Sequence, residues 1–272
     1  MFAGTYTALV TPFHKGRVDE GAFQKLISDQ VRGGVDGIVP VGTTGESPTL
    51  GFDEHIRVIE LAVRAAKGRV KVLAGTGANA TAEAVHLTQA AEAVGADGSL
   101  QVAPYYNKPS QEGLFQHFKK IARATKLPII LYSIPGRCNI AIEVPTVQRL
   151  AKACKNIVGI KEAGGDADRV SQLRAAIGQR FTILSGDDAL TLPFMAVGAE
   201  GVISVASNII PRQITRMVNA FTAGNADAAL RLHQKYYPMF KDLFIETNPV
   251  PTKRSEERRV GKECRSRWSP YH

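Results

Sequence analysis

Eight short apolar runs recur along the chain, at Thr5–Val10, Gly37–Val41, Val70–Ala74, Gly98–Ala103, Ile129–Ser133, Val158–Lys161, Phe181–Ser185 and Gly201–Val205. The stretches between them carry a different period. Phe23, Leu26, Ile27 and Val31 share one helical face, as do Ile56, Ile59 and Val63. Strands rich in Val, Ile and Leu that alternate with helices predict parallel pairing with both sheet faces covered. Eight such units suit a closed (β/α)8 TIM barrel, which takes roughly 250 residues, whereas a doubly wound sheet usually stops near five or six strands. The predicted fold is α/β, with the barrel over residues 1–224. A further helical pattern, Asp227 to Phe244, opens a C-terminal helical region over residues 225–253.

Barrel enzymes place their chemistry in the loops that leave the C-terminal strand ends. Here those loops read VGTTGES, PYYNKP, LYSIPGR, IKEA and LSGDD. Lys161 ends an apolar strand, where lost hydration disfavours the ammonium and leaves an amine able to attack a carbonyl. Taken alone, it could equally be a lysine leaving the barrel or pairing with Glu162. Tyr132 ends the adjacent strand and offers a phenol for proton relay, although a single strand-end tyrosine is usually a packing residue. Thr43 and Thr44 sit between Gly42 and Gly45 in a turn whose hydroxyls and N–H groups suit a small carboxylate. Arg137 follows Pro135-Gly136, a rigid turn that can aim its fork at a second carboxylate. Nucleophile, relay and two anion anchors at one barrel face exceed what packing explains.

Charge and composition narrow the reading. The formal net charge of +9 is spread out: residues 254–272 hold six Lys/Arg against three Glu, and no basic stripe interleaves with aromatics. Nucleic acid is not an expected partner. No apolar run reaches the ~18 residues of a membrane span, and MFAGTYTALVTPF lacks the basic start of a signal peptide. A cytoplasmic location is expected. Cys138, Cys154 and Cys264 form no CxxC pair, and the histidines are scattered, so no metal is expected. Asp187 and Asp188 follow strand seven, where many barrels bind phosphate, and two carboxylates there would repel it.

The runs VGTTGESPTL, APYYNKPSQEGLFQHF, LYSIPGR, VGIKEA, LSGDDALTLPFM and GVISVASN resemble the dihydrodipicolinate synthase family of lysine-dependent (class I) aldolases in order and spacing, from Met1 to Lys253. The resemblance implies an imine between Lys161 and pyruvate, condensation with L-aspartate 4-semialdehyde, and no cofactor. It makes Tyr132, Thr43 and Tyr106 the proton relay, with Tyr106 arriving from a neighbouring subunit of a homotetramer. It gives Thr44 the pyruvate carboxylate, Arg137 the semialdehyde carboxylate, and Gly186 and Ile203 the pocket wall. Ser133 departs from the asparagine frequent in the family. Ser47, His55, Asn79, Glu83 and Tyr105 match an allosteric lysine site, but Phe52 stands where lysine-sensitive relatives often have a histidine and Pro48 stiffens the turn, so weak inhibition at most is expected. Two other readings remain: a sister aldolase such as N-acetylneuraminate or keto-sugar-acid lyase, and a non-catalytic regulatory barrel.

Residues 254–272 change character. RSEERRVGKECRSRWSPYH has nine charged residues, no amphipathic period and the chain's single tryptophan, Trp268. It resembles a translated sequencing adapter. The expectation is a non-native, exposed tail standing where relatives carry further helices, with apolar surface left uncovered and tetramer formation impaired.

Overall fold

The computed structural model describes residues 2–260, with side chains described as far as residue 255. Eight parallel strands close into a barrel: β1 (Gly4–Ala8), β2 (Gly37–Val39), β3 (Lys71–Gly75), β4 (Gly98–Val102), β5 (Ile129–Ser133), β6 (Ile157–Glu162), β7 (Thr182–Ser185) and β8 (Gly201–Ser204). Every strand boundary falls within two residues of the sequence expectation. A small hairpin, Phe13–His14 with Arg17–Val18, follows β1.

Helices α1 (Glu20–Gly33), α2 (Phe52–Ala66), α3 (Thr81–Ala93), α4 (Gln111–Arg123), α5 (Val144–Ala153), α6 (Ala167–Ile177), α7 (Thr191–Ala196) and α8 (Pro211–Thr222) surround the strands. Their starts are written in the sequence. Asp19 caps α1 through the Ala22 N–H, and Ser110 caps α4 through the Gly113 N–H. Each satisfies a donor that the first helical turn leaves unpaired. The core face of α2 differs from expectation. His55, Val58, Ile59 and Ala62 face inward, while Ile56 and Val63 lie on its flank. Periodicity weighted for large apolar residues overlooks the alanine and histidine that permit close approach to β3.

The lumen is packed rather than hollow. Phe2 and Tyr6 close its base, above which lie Val39, Leu100, Ile130, Tyr132, Leu184 and Ile203. The seam between β8 and β1 is sealed by buried Asn208, whose Nδ2 donates to the Ala8 carbonyl (2.7 Å) and whose Oδ1 accepts from the Val10 N–H (3.2 Å).

Beyond the barrel, α9 (Ala226–Asp242) packs on α8, and the chain returns through residues 243–249 to α10 (Val250–Val260). The backbone is therefore helical across 254–260, with no break where the sequence changes character; Arg254 and Ser255 are exposed. Trp268 lies outside the described residues. Leu230, Tyr237, Phe244 and Ile245 expose apolar surface in this region. Among the described residues, no helix is long and apolar enough to cross a membrane.

Closure sets a steric requirement. Gly201 sits at φ +147°, and a Cβ there would lie 1.9 Å from the Gly4 carbonyl oxygen on the paired strand. All three nearest atoms are Gly4 backbone, which the strand pairing holds in place. Gly201→Ala is expected to cost about 2–4 kcal/mol, measured as a fall in the denaturant midpoint. An unchanged midpoint would show that the seam can open.

Candidate active site

Lys161 and Tyr132 are register partners on β6 and β5. In parallel strands such partners project to the same side, and both turn inward at the C-terminal end of the barrel. The Lys161 Nζ stands 4.2 Å from the centre of the Tyr132 ring. Lys161 is 6 % exposed, and burial pushes its pKa down to about 7. The Asp188 carboxylate opposes that fall, while the Arg137 guanidinium reinforces it. Burial also raises the Tyr132 phenol well above its ordinary value; a hydrogen bond with the Thr43 side chain works the other way. Glu162 is not the partner of Lys161. As the next residue on the strand it points to the opposite face, where it pairs with Arg169 (2.7 Å) and accepts from the Gly164 N–H (2.7 Å).

Gly186 makes room for the lysine. A Cβ at this position would lie 3.0 Å from the Lys161 Cε and 2.7 Å from the Ala163 Cβ. Ile203 is fully buried in the same lumen cluster as Tyr132. Asp188 is also buried. It accepts from the Ser204 hydroxyl and from the Val205 and Ala206 N–H groups (2.9 and 3.0 Å). Asp187 Oδ1 accepts from the Ala189 N–H. Both carboxylates that the sequence reading set against an incoming phosphate are anchored by backbone N–H groups.

The turn after β2 is strained. Val41 (φ +49°) and Glu46 (φ +61°) both occupy left-handed backbone, a rare conformation for a β-branched residue. The Gly45, Glu46 and Ser47 N–H groups bond within the turn, to the Gly42 and Thr43 carbonyls. The Thr43 side chain faces the lumen opening. Thr44 is buried behind it, its Oγ1 accepting from the Asn248 Nδ2 (2.9 Å). The Asn248 carbonyl accepts from the Arg137 Nη2 (2.9 Å). Five residues later, in the first turn of α10, Lys253 forms a buried ion pair with Glu46 and lies over the Phe13 ring, 4.3 Å from its centre.

A cleft of about 180 Å³ opens beside Tyr132, lined by Thr43, Ser47, Pro48, Tyr105, Arg137 and Cys138 among others. It joins two features that the sequence analysis treated separately. Ser47 and Tyr105, from the suggested allosteric set, line it alongside Arg137, and Glu83 is near enough to raise the Tyr105 phenol. His55 and Asn79 lie outside this lining. His55 is buried against the Gly75 carbonyl (2.8 Å). Tyr106 is 92 % exposed with φ +71°, projecting away from this chain's Lys161 cluster.

A model of the dihydrodipicolinate synthetase family matches residues 1–268. The chain belongs to that family. The 4-hydroxy-tetrahydrodipicolinate synthase of Endomicrobium trichonymphae is 54% identical over 253 residues, covering 93% of this chain and 87% of its own length. The structure of the synthase from Methylacidiphilum fumariolicum SolV superposes with a TM-score of 0.98 at 54% identity, covering 100% of this chain and 91% of that one. DHDPS from Cyanidioschyzon merolae, solved with lysine bound, superposes at 0.92 with 43% identity, covering 94% of this chain and 88% of its own. The family match continues past Lys253 into the segment whose composition changes.

Sequence reasoning missed Asn248, Lys253, Glu46 and the inward role of Asp188. Proline-flanked NPVPTK was the available signal for Asn248 and Lys253, since an ordered non-helical stretch before a helix needs something to hold it.

Burial of Lys161 has a consequence for stability. Its amine titrates near 7 when folded and at its ordinary value, 10.5, when unfolded. Between those values the unfolded chain binds the extra proton, so stability rises with pH. Below about 7 both states are charged and the full cost of burial stands. Lys161→Met is expected to stabilise the protein by about 2–5 kcal/mol at pH 7, with the gain fading toward pH 10.5. Denaturation midpoints of both proteins at the two pH values test this; a gain independent of pH would mean the amine is not desolvated.

Proposed function

We propose that the chain condenses pyruvate with L-aspartate 4-semialdehyde, the 4-hydroxy-tetrahydrodipicolinate synthase reaction that commits carbon to diaminopimelate and lysine. The carrying observation is a buried lysine at the barrel mouth, with an amine that titrates near 7 and a register-paired tyrosine beneath it. The chain's membership of the family, with curated relatives of that name at 54% and 53% identity, supports this chemistry over the sugar-acid lyases and over a non-catalytic barrel.

In this reading the Lys161 amine attacks the pyruvate carbonyl carbon, and the carbonyl oxygen departs as water to leave an imine. Tyr132, hydrogen-bonded to Thr43, carries protons to and from the reacting atoms. A neighbouring subunit's copy of Tyr106 completes the relay, which fits its exposure and requires an oligomer; a homotetramer is the proposed assembly. Loss of a methyl proton then gives an enamine, whose carbon attacks the aldehyde. The substrate's own amine next attacks the imine carbon and displaces Lys161, closing the ring. Thr44 takes the pyruvate carboxylate and Arg137 the semialdehyde carboxylate, while Gly186 and Ile203 shape the pocket. No step requires a cofactor, and a cytoplasmic setting suits a biosynthetic role. The suggested lysine site stays a proposal of weak inhibition. In the same spirit, residues 254–272 are proposed to be non-native.

Borohydride reduction in the presence of pyruvate should add one reduced pyruvyl group, located at Lys161 by peptide mass spectrometry. Labelling elsewhere, or none in folded protein, would refute the imine. Arg137→Ala should impair use of the semialdehyde by about 30-fold or more, as expected for losing a charged contact worth ~2–5 kcal/mol, while trapping by pyruvate changes little. Equal losses for both substrates would show that Arg137 is not specific to the second one.

A further inference from the structure

Asn248 belongs to no strand or helix, yet it is 5 % exposed and stands 204 residues from its partner Thr44. Its geometry is specific. A threonine hydroxyl has one proton and two lone pairs. Asn248 Nδ2 donates to the Thr44 Oγ1 at 2.9 Å, so that oxygen is engaged as an acceptor and its single proton remains to be donated elsewhere. Meanwhile the Asn248 main-chain carbonyl accepts from one Arg137 nitrogen. Five residues on, Lys253 pairs with Glu46, two residues beyond Thr44. The segment is thereby fixed to the same turn at both ends.

We propose that Asn248 is a positioning residue that fixes the Thr44 hydroxyl as a hydrogen-bond donor toward the carboxylate of bound pyruvate. The inference rests on the pyruvate chemistry proposed above. An isolated threonine hydroxyl rotates freely and satisfies itself on whatever acceptor lies nearest. Asn248 removes that freedom before substrate arrives, which is preorganisation of an anion site. Aspartate at the same place would reverse it, since an ionised carboxylate only accepts, and would compete with pyruvate for the Thr44 proton while repelling its charge.

The test is a mutant series in the full chain, with steady-state kinetics, borohydride trapping and circular dichroism on each protein. Asn248→Ala should raise the pyruvate KM roughly tenfold, the scale of one hydrogen bond to a charged group, with kcat within about twofold. Asn248→Asp, of nearly unchanged volume, should raise KM further, by roughly a hundredfold, and it carries the test should the alanine variant not fold. In a Thr44→Val background, Asn248→Ala should move the pyruvate KM by less than about twofold, because the two residues act as one unit. An aspartate variant that binds pyruvate as well as the alanine variant would overturn the proposal. So would a fall in kcat at unchanged KM, or additive effects of the two substitutions. A wild-type chain that pyruvate does not label would overturn the function reading as well, whereas those results in a labelled wild type overturn this inference alone.

Discussion

A primary amine held where water cannot reach it is the constraint on which the rest of the structure turns. Charged, the Lys161 side chain would lose its hydration to the barrel mouth with only the Asp188 carboxylate opposing the cost. Neutral, it is a nucleophile. Each neighbouring choice follows from keeping it in that state. The closed sheet excludes water below it through Tyr132, Leu184 and Ile203, and Gly186 clears a path for its stem. Asp188 spends its own hydrogen-bonding capacity on the turn after β8. Its carboxylate therefore tempers the lysine's pKa without closing a salt bridge that would hold the proton.

The turn after β2, beside that amine, is built differently. Left-handed backbone at Val41 and Glu46 is costly, by roughly 1–3 kcal/mol for each such residue. It persists because the turn is tied down from outside. Thr11 Oγ1 donates to the Gly45 carbonyl (2.7 Å), and the buried Lys253 ammonium meets the Glu46 carboxylate. A buried pair of this kind is weak evidence for net stability, but breaking it leaves a charge stranded. Its better-supported effect is to specify where the turn sits.

These two constructions explain what could be read from the chain and what could not. Strand limits, the barrel and the pairing of Tyr132 with Lys161 follow from local period and from the alternation of side chains along a strand, which place Glu162 on the far face. Gly186 entered only through the family resemblance; the reason for it, space for the Lys161 stem, is visible only in the structure. Asn248 and Lys253 carry no such mark. Their partners lie 204 and 207 residues away, and nothing in the period of either segment encodes that meeting. The same holds for Asp188. Its place after a strand was read only as a charge that would repel phosphate; the three donors that hold it lie on the next strand-end turn, outside its own segment. The face of α2 was misplaced for a smaller reason: small residues decide close packing, and they contribute little to an apolar count.

The site thus divides by how it is held. The nucleophile and phenol stand on adjacent strands whose spacing the sheet enforces, so their geometry is insensitive to what happens outside the barrel. Thr44 and Arg137 depend on loops, and both are fastened to one residue of the segment leading into α10. The C-terminal segment is therefore coupled to both loops: whatever moves residue 248 moves a hydrogen-bond partner of Thr44 and of Arg137 together, while the amine stays where the barrel puts it.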